Sequence, residues 1–138
     1  MRFMIIVKAN QDSEAGVMPE EKLVAEMASY HEELAQAGAL LDASGLQRSA
    51  KGWRIRYAGG KRTIVDGPFA ETKELIAGYT IIQAKSRDEA IQWTKRFPNP
   101  AGHGKEAEIE VRQLFELEDF APSEAIERFR EIGVGTKH

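Results

Sequence analysis

Cysteine is absent from this chain, which excludes disulfides, thiolate nucleophiles and cysteine-ligated zinc or iron–sulfur centres. An excess of positive charge is absent too. Lysine and arginine number 19 against 22 aspartates and glutamates, a formal net charge of -3 with a pI near 5.7. The broad basic footprint of a direct nucleic-acid binder is therefore missing, and any cationic patch is local. Long hydrophobic runs are also missing. The apolar start from Phe3 to Val7 falls short of a signal-peptide core and far short of a membrane span, so the expectation is a cytoplasmic protein with no membrane partner. Glycine-rich nucleotide fingerprints, a phosphate-binding P-loop, the HExxH and His-x-His spacings of zinc sites and serine-nucleophile signatures do not occur. On these grounds no metal and no cofactor is expected.

What is present reads as one globular domain. At 138 residues, 42% hydrophobic and 30% charged, the chain can bury about two-thirds of its unfolded surface but is too short for a second core. No repeat, low-complexity tract or linker divides it. Residues 2–9 alternate Phe3, Ile5 and Val7 against Met4 and Ile6, a strand apolar on both faces and so covered on both. Residues 10–18 are a polar loop with Gly16. Pro19-Glu20-Glu21 opens a helix, the proline suited to its first turn and the acids to its dipole. That helix runs to Ala37 and stops at Gly38. Its apolar stripe is Leu23, Val24, Met27, Tyr30 and Leu34. His31 borders the stripe between Met27 and Leu34, so its imidazole points at the sheet.

Residues 39–46 read as a second strand, weakened by Ser44-Gly45. Trp53, Ile55 and Tyr57 alternate with Arg54 and Arg56, and Gly59-Gly60 returns the chain through Thr63-Ile64-Val65 as a hairpin. Leu75 to Ala84 is a central strand. Ser86 with Glu89 forms a capping box, opening a helix with inner face Ala90, Ile91, Thr94 and Phe97 that Pro98 stops. Residues 106–117 alternate Ile109, Val111, Phe115 and Leu117 against Glu108, Glu110, Arg112 and Glu116, a strand with one polar face. Pro122-Ser123 starts a short helix with Ile126, Phe129 and Ile132 on one side, ended by Gly133; Gly135 to His138 read as a frayed end. The order predicts an α+β fold, a ferredoxin-like βαββαβ protomer with an inserted β-hairpin. Residues 1–118 are the domain and 119–138 its C-terminal helical extension. Both helices should lie on one face of the sheet. The bare face, apolar on the first strand, predicts a homodimer packed sheet against sheet around a partly polar interior.

The densest chemistry lies in Asp66-Gly67-Pro68-Phe69-Ala70-Glu71-Thr72-Lys73-Glu74, where acids, a lysine and a Gly-Pro turn sit between two apolar runs. Gly67 admits backbone angles closed to other residues and Pro68 fixes its own φ, so Asp66 and Phe69 leave the turn in defined directions. Together with Ala77-Gly78-Tyr79, Glu89-Ala90-Ile91, Pro98 and Glu110-Val111-Arg112, this stretch resembles the YCII-related family, and specifically its DGPF-motif branch. The likeness covers roughly residues 2–115. Gln113 departs from the proline often found there, and the tail from Asp119 lies outside the shared region. The resemblance implies a dimeric α+β barrel of ferredoxin-like protomers. It also implies a cleft in which a helix histidine and a strand-end aspartate, here His31 and Asp66, form a dyad. Some members of the family are linked to sigma-factor-type transcription proteins.

Each candidate carries a functional and a plain reading. His31 beside a carboxylate suits general acid/base work, or is a histidine satisfied at the edge of the core. Asp66 orients His31, acts as base itself, or caps its own Asp-Gly turn. Glu71, Lys73 and Glu74 grip a polar ligand, or are a solvated charged turn. Arg112 lies on the polar face of a strand expected to be central, where its guanidinium needs a carboxylate from Glu110 or a ligand. Tyr79 offers a hydroxyl to the same space, or is a core aromatic. His103 sits in a Gly-flanked loop, covering a pocket or simply on the surface. The leading functional expectation is a small-molecule enzyme in which His31 and Asp66 are the catalytic pair, with Glu71, Lys73, Tyr79 and Arg112 on a small polar substrate. The alternative is a non-catalytic metabolite-binding or regulatory module linked to transcription.

Overall fold

Alternation at the N-terminus becomes strand β1 (Arg2–Lys8), and the chain then forms α1 (Gln11–Glu14), α2 (Glu21–Gln36) and β2 (Leu40–Gly45). The hairpin follows as β3 (Trp53–Ala58) and β4 (Lys61–Asp66), then β5 (Ile76–Gln83), α3 (Arg87–Lys95), β6 (Ile109–Gln113) and α4 (Glu124–Glu131). This computed structural model describes residues 1–136; Lys137 and His138 lie outside the described residues. The main sheet is antiparallel with order β2-β5-β1-β6, and β3-β4 form a separate two-stranded sheet. The protomer is thus the ferredoxin-like α+β unit with an inserted hairpin.

Register explains the core. Phe3 lies opposite Ile82 and Gln113, and Ile5 opposite Thr80 and Val111, so directly opposed residues share one face of the sheet. That face packs against Tyr30 and Leu34 of α2 and Ala90 of α3, with Trp93 and Phe97 closing the edge. Ile5, Leu34 and Ile82 are fully buried there. The Tyr30 hydroxyl donates to the Trp93 carbonyl at 2.7 Å, tying α2 to α3. Burial pushes the Tyr30 phenol up to about 12. On the opposite face stand Met4 and Ile6 of β1, Tyr79 and Ile81 of β5, and Glu110 and Arg112 of β6.

Several sequence expectations are corrected. The polar loop after β1 contains the helical turn α1, closed by a capping box in which Asn10 Oδ1 accepts from the Ser13 amide and Ser13 Oγ from the Asn10 amide. Val24 is 45% exposed and off the buried stripe. The strand expected over 106–117 shrinks to β6. Beyond it the Leu114 amide bonds to the Arg2 carbonyl and the chain enters a 3-10 turn at Leu117–Asp119. Alternation therefore fails there: Leu117 is buried while Phe115 is 71% exposed. β6 is also an edge strand, not a central one, so Arg112 borders solvent. The end expected to fray packs as far as Gly135, where a Cβ would stand 2.8 Å from Leu117 Cδ2. Gly59 and Gly60 turn the hairpin with φ of 57° and 74°, the left-handed pair that a type I′ turn requires.

Candidate functional site

His31 is brought to the sheet by the helical spacing that buries Tyr30 and Leu34. Its Nδ1 lies 2.7 Å from the Met27 carbonyl and its Nε2 2.8 Å from Thr80 Oγ1 on β5. A carbonyl can only accept, so Nδ1 carries the proton and, in the neutral ring, Nε2 accepts from the Thr80 hydroxyl. The ring stands edge-on to Tyr30 and Phe97, with centroids 5.6 and 6.1 Å away. Thr80 is only 2% exposed. Both ring nitrogens are thus engaged within the protomer by a carbonyl and a hydroxyl, and the expected carboxylate partner is not among them.

Asp66 ends β4 opposite Trp53. Its side chain is exposed and makes no hydrogen bond or ion pair among the described residues. The Asx cap read from its Asp-Gly pair does not form: the residue two along is Pro68, which has no N–H to donate, and the Gly67 amide bonds to the Gly52 carbonyl at 3.0 Å. What the turn does is hold another segment. The Phe69 amide donates to Ser49 Oγ at 3.1 Å, and the Ser49 amide and hydroxyl both donate to the Glu14 carboxylate. A Cβ on Gly67 would stand 1.9 Å from the Ser49 carbonyl oxygen, so close approach of two backbones demands glycine here. The Gly67-Pro68 peptide is cis. Phe69 lies beneath the Arg54 guanidinium, 3.9 Å from ring centroid to Cζ. The turn, the Ser49 segment and the loop after β1 are therefore clamped together.

Glu71 adopts a left-handed φ of 61°, and Glu71 and Lys73 are exposed without side-chain bonds among the described residues. Tyr79 and Arg112 share the open sheet face. The Tyr79 hydroxyl donates to Asp42 Oδ2 at 3.1 Å. Arg112 pairs with Glu110 at 3.3 Å and Lys8 pairs with the same carboxylate at 3.2 Å. Hydrogen bonds from Lys8 and then Arg112 hold the Glu110 carboxyl below the usual carboxylate range. The expected residues therefore fall in separate places within one protomer: His31 under α2, Asp66 and Glu71 on the turn, Tyr79 and Arg112 across the sheet.

A groove of about 900 Å³ lies between the loop after β1, the first turn of α2, the segment after β2 and the loop of residues 100–105. Leu23, Leu46, Ala77 and Pro100 give it apolar lining, and Val17 and Met18, 58% and 81% exposed, belong to it as well. Its cations are Lys22, Arg48, Lys51 and Lys105, with His103 in the same loop as Lys105. Arg48 and Lys51 flank Ser49, so the Asp66 turn sets this wall in place. These cations are not legible in the sequence because they lie on three unconnected segments with no shared periodicity; His103, read from the sequence as covering a pocket or simply on the surface, is the one neighbour singled out there. Among the described residues no group of three or more histidines or carboxylates could hold a metal, and no helix is long and apolar enough to cross a membrane.

The chain is similar to known proteins at the level of family, sequence and fold. A model of the YCII-related domain matches residues 1–117. An uncharacterised protein of Rhizobium meliloti (strain 1021) is 28% identical over 95 residues, which cover 69% of this chain and 75% of that protein. Among solved structures, a 5-chloro-2-hydroxyhydroquinone dehydrochlorinase from Burkholderia phenoliruptrix, in complex with 2,5-dihydroxybenzoquinone, is similar at a TM-score of 0.43 and 17% identity over 84% of this chain and 95% of that one. A likeness that distant carries nothing about chemistry.

Proposed function

The chain belongs to the YCII-related family, and from that premise we propose that it is a small-molecule-binding protein whose ligand occupies the groove beside α2. The observation that carries this reading is the groove itself, whose volume of about 900 Å³ falls within the range of small-molecule sites, roughly 300–1,000 Å³. His31 is in this reading a polar bridge between α2 and β5, both of its nitrogens being spent on Met27 and Thr80. The protein works as a homodimer, a second copy covering Met4, Ile6, Tyr79 and Ile81 on the open face of the sheet. Titration of a panel of small organic molecules, followed by amide NMR, should concentrate shifts at Gly16, Gly45, Leu46 and Gly102. Shifts confined to the open sheet face or to the Asp66 turn would sink the groove as the site.

A second reading is favoured by one detail. With Nδ1–H held on the Met27 carbonyl, Nε2 is the basic position of His31, the arrangement an acid/base catalyst needs. In that reading His31 exchanges the proton, Asp66 orients it, and Glu71, Lys73, Tyr79 and Arg112 hold a polar substrate, which requires Asp66 and His31 to approach each other on assembly or ligand binding. His31→Gln and Asp66→Asn should then each abolish turnover of an identified substrate. Full turnover by either variant would remove this reading.

A further inference from the structure

Charge in the groove runs against the charge of the molecule. The whole chain carries a formal -3, yet the groove is lined by four cations, Lys22, Arg48, Lys51 and Lys105, against two carboxylates, Asp12 and Glu20. None of these four cations has an ion-pair partner among the described residues. The carboxylate of Glu14 is already taken by the amide and hydroxyl of Ser49, the residue next to Arg48. Arg48 itself donates one hydrogen bond, from Nη1 to the Ala15 carbonyl at 3.3 Å. Its guanidinium lies over Gly16, where a Cβ would approach Nη1 to 3.0 Å. That contact holds the charge on the groove wall and leaves most of its five N–H donors free. Backbone donors add to this field, since the Glu20 cap of α2 has no side-chain bond to the first turn. Beside the cations lie apolar side chains, Met18, Leu23 and Leu46.

We infer that the groove selects small organic anions, a carboxylate or phosphate held by Arg48 and Lys51 with an apolar body lying on Leu23, Leu46 and Met18. The inference rests on the groove being the ligand site, and it adds the class of ligand. Unpaired cations on converging segments raise the local concentration of anions, and apolar walls strengthen each charge contact by excluding water. An uncharged molecule of the same shape gains only the apolar contact.

Binding to the full chain is measured by calorimetry and amide NMR with four probes: benzoate, phenyl phosphate, benzamide and inorganic phosphate. Benzoate or phenyl phosphate should bind and shift the amides of Gly16, Arg48 and Gly102, with benzamide at least about tenfold weaker, the difference expected from losing one or two charge-assisted hydrogen bonds. Inorganic phosphate should bind more weakly than phenyl phosphate, and binding should weaken as salt rises. Lys51→Gln, at an exposed position whose side chain makes no hydrogen bond or ion pair among the described residues, should weaken the organic anions by about tenfold. Lys95→Gln, on α3 and outside the groove lining, should not. Benzamide binding in the groove as tightly as benzoate overturns the anion inference and leaves the groove intact as a site. Inorganic phosphate matching phenyl phosphate overturns the apolar half of the inference. Absence of groove shifts with every probe overturns both the inference and the reading on which it rests.

Discussion

At the scale of single residues, the decisive bond is the one between His31 and Thr80. Helical spacing alone says that His31 points at the sheet, and its Nε2 indeed meets Thr80 on β5. Which group waits there could not be read, because the register of β5 against α2 is a property of the folded sheet. Replacing His31 by Ala leaves the Thr80 hydroxyl, 2% exposed, without its partner, at an expected cost of about 1–3 kcal/mol. Thr80→Val should recover part of that loss in the double variant. Urea unfolding of the four proteins checks this, and costs that add within about 0.3 kcal/mol would refute the coupling. Tyr30 offers a second test. Its phenol is held up to about 12 from an ordinary 10.0 by burial, so the folded state keeps this proton longer than the unfolded one. The stability this contributes is complete below pH 10 and is lost as pH rises from there towards 12. An ultraviolet titration should show one late-ionising phenol that disappears in Tyr30→Phe, a substitution that also costs about 1 kcal/mol through the lost bond to Trp93.

At the scale of elements, the Asp66 stretch was legible as a rigid turn but not as a clamp. Gly67 is required there by the Ser49 carbonyl rather than by its own backbone angles, since a Cβ would lie 1.9 Å from that oxygen. Gly67→Ala should therefore destabilise the protein by about 1–3 kcal/mol, the range for overpacking against structure that must move. It should also disturb groove amides such as Arg48 and Lys51, far along the chain from the substitution. NMR shifts confined to residues 65–70 would contradict the clamp. The end of β6 shows why some elements were misjudged. The alternation of Ile109, Val111, Phe115 and Leu117 fits one long strand by period alone. The ladder runs one bond past β6, from the Leu114 amide to the Arg2 carbonyl, and the Arg2–Glu116 pair at 3.0 Å with the 3-10 turn at Leu117–Asp119 then takes the chain off the sheet, a departure that period alone does not reveal. The hairpin is the converse case: its strands and its Gly-Gly turn were readable locally. Its Ile55 and Ile64 stay exposed, at 40% and 66%, although period-2 alternation in a strand normally marks a covered face.

At the scale of the whole molecule, the open sheet face combines Met4, Ile6 and Ile81 with the Lys8–Glu110–Arg112 cluster. If a second copy covers it, sedimentation should give twice the monomer mass, and Ile6→Asp should give the monomer without loss of secondary structure; an unshifted dimer would place the interface elsewhere. Glu110 supplies the pH dependence. Its carboxyl is held below its ordinary 4.5 by Lys8 and Arg112, so its contribution is present above that value and is lost as pH falls through the folded one. Acid unfolding should accordingly shift in Glu110→Gln; an unchanged acid midpoint would refute this contribution. The sequence by itself determined the architecture, because the order and period of strands and helices, with Gly38, Gly59, Gly60 and Pro98 as boundaries, leave few topologies that bury both helix stripes on one sheet. The tertiary structure alone decided the site. Partners such as Thr80 for His31, Ser49 for Phe69 and Glu14 for Ser49 are distant in sequence, and the groove's cations come from three segments that acquire a common field only when the loops around α2 are folded together.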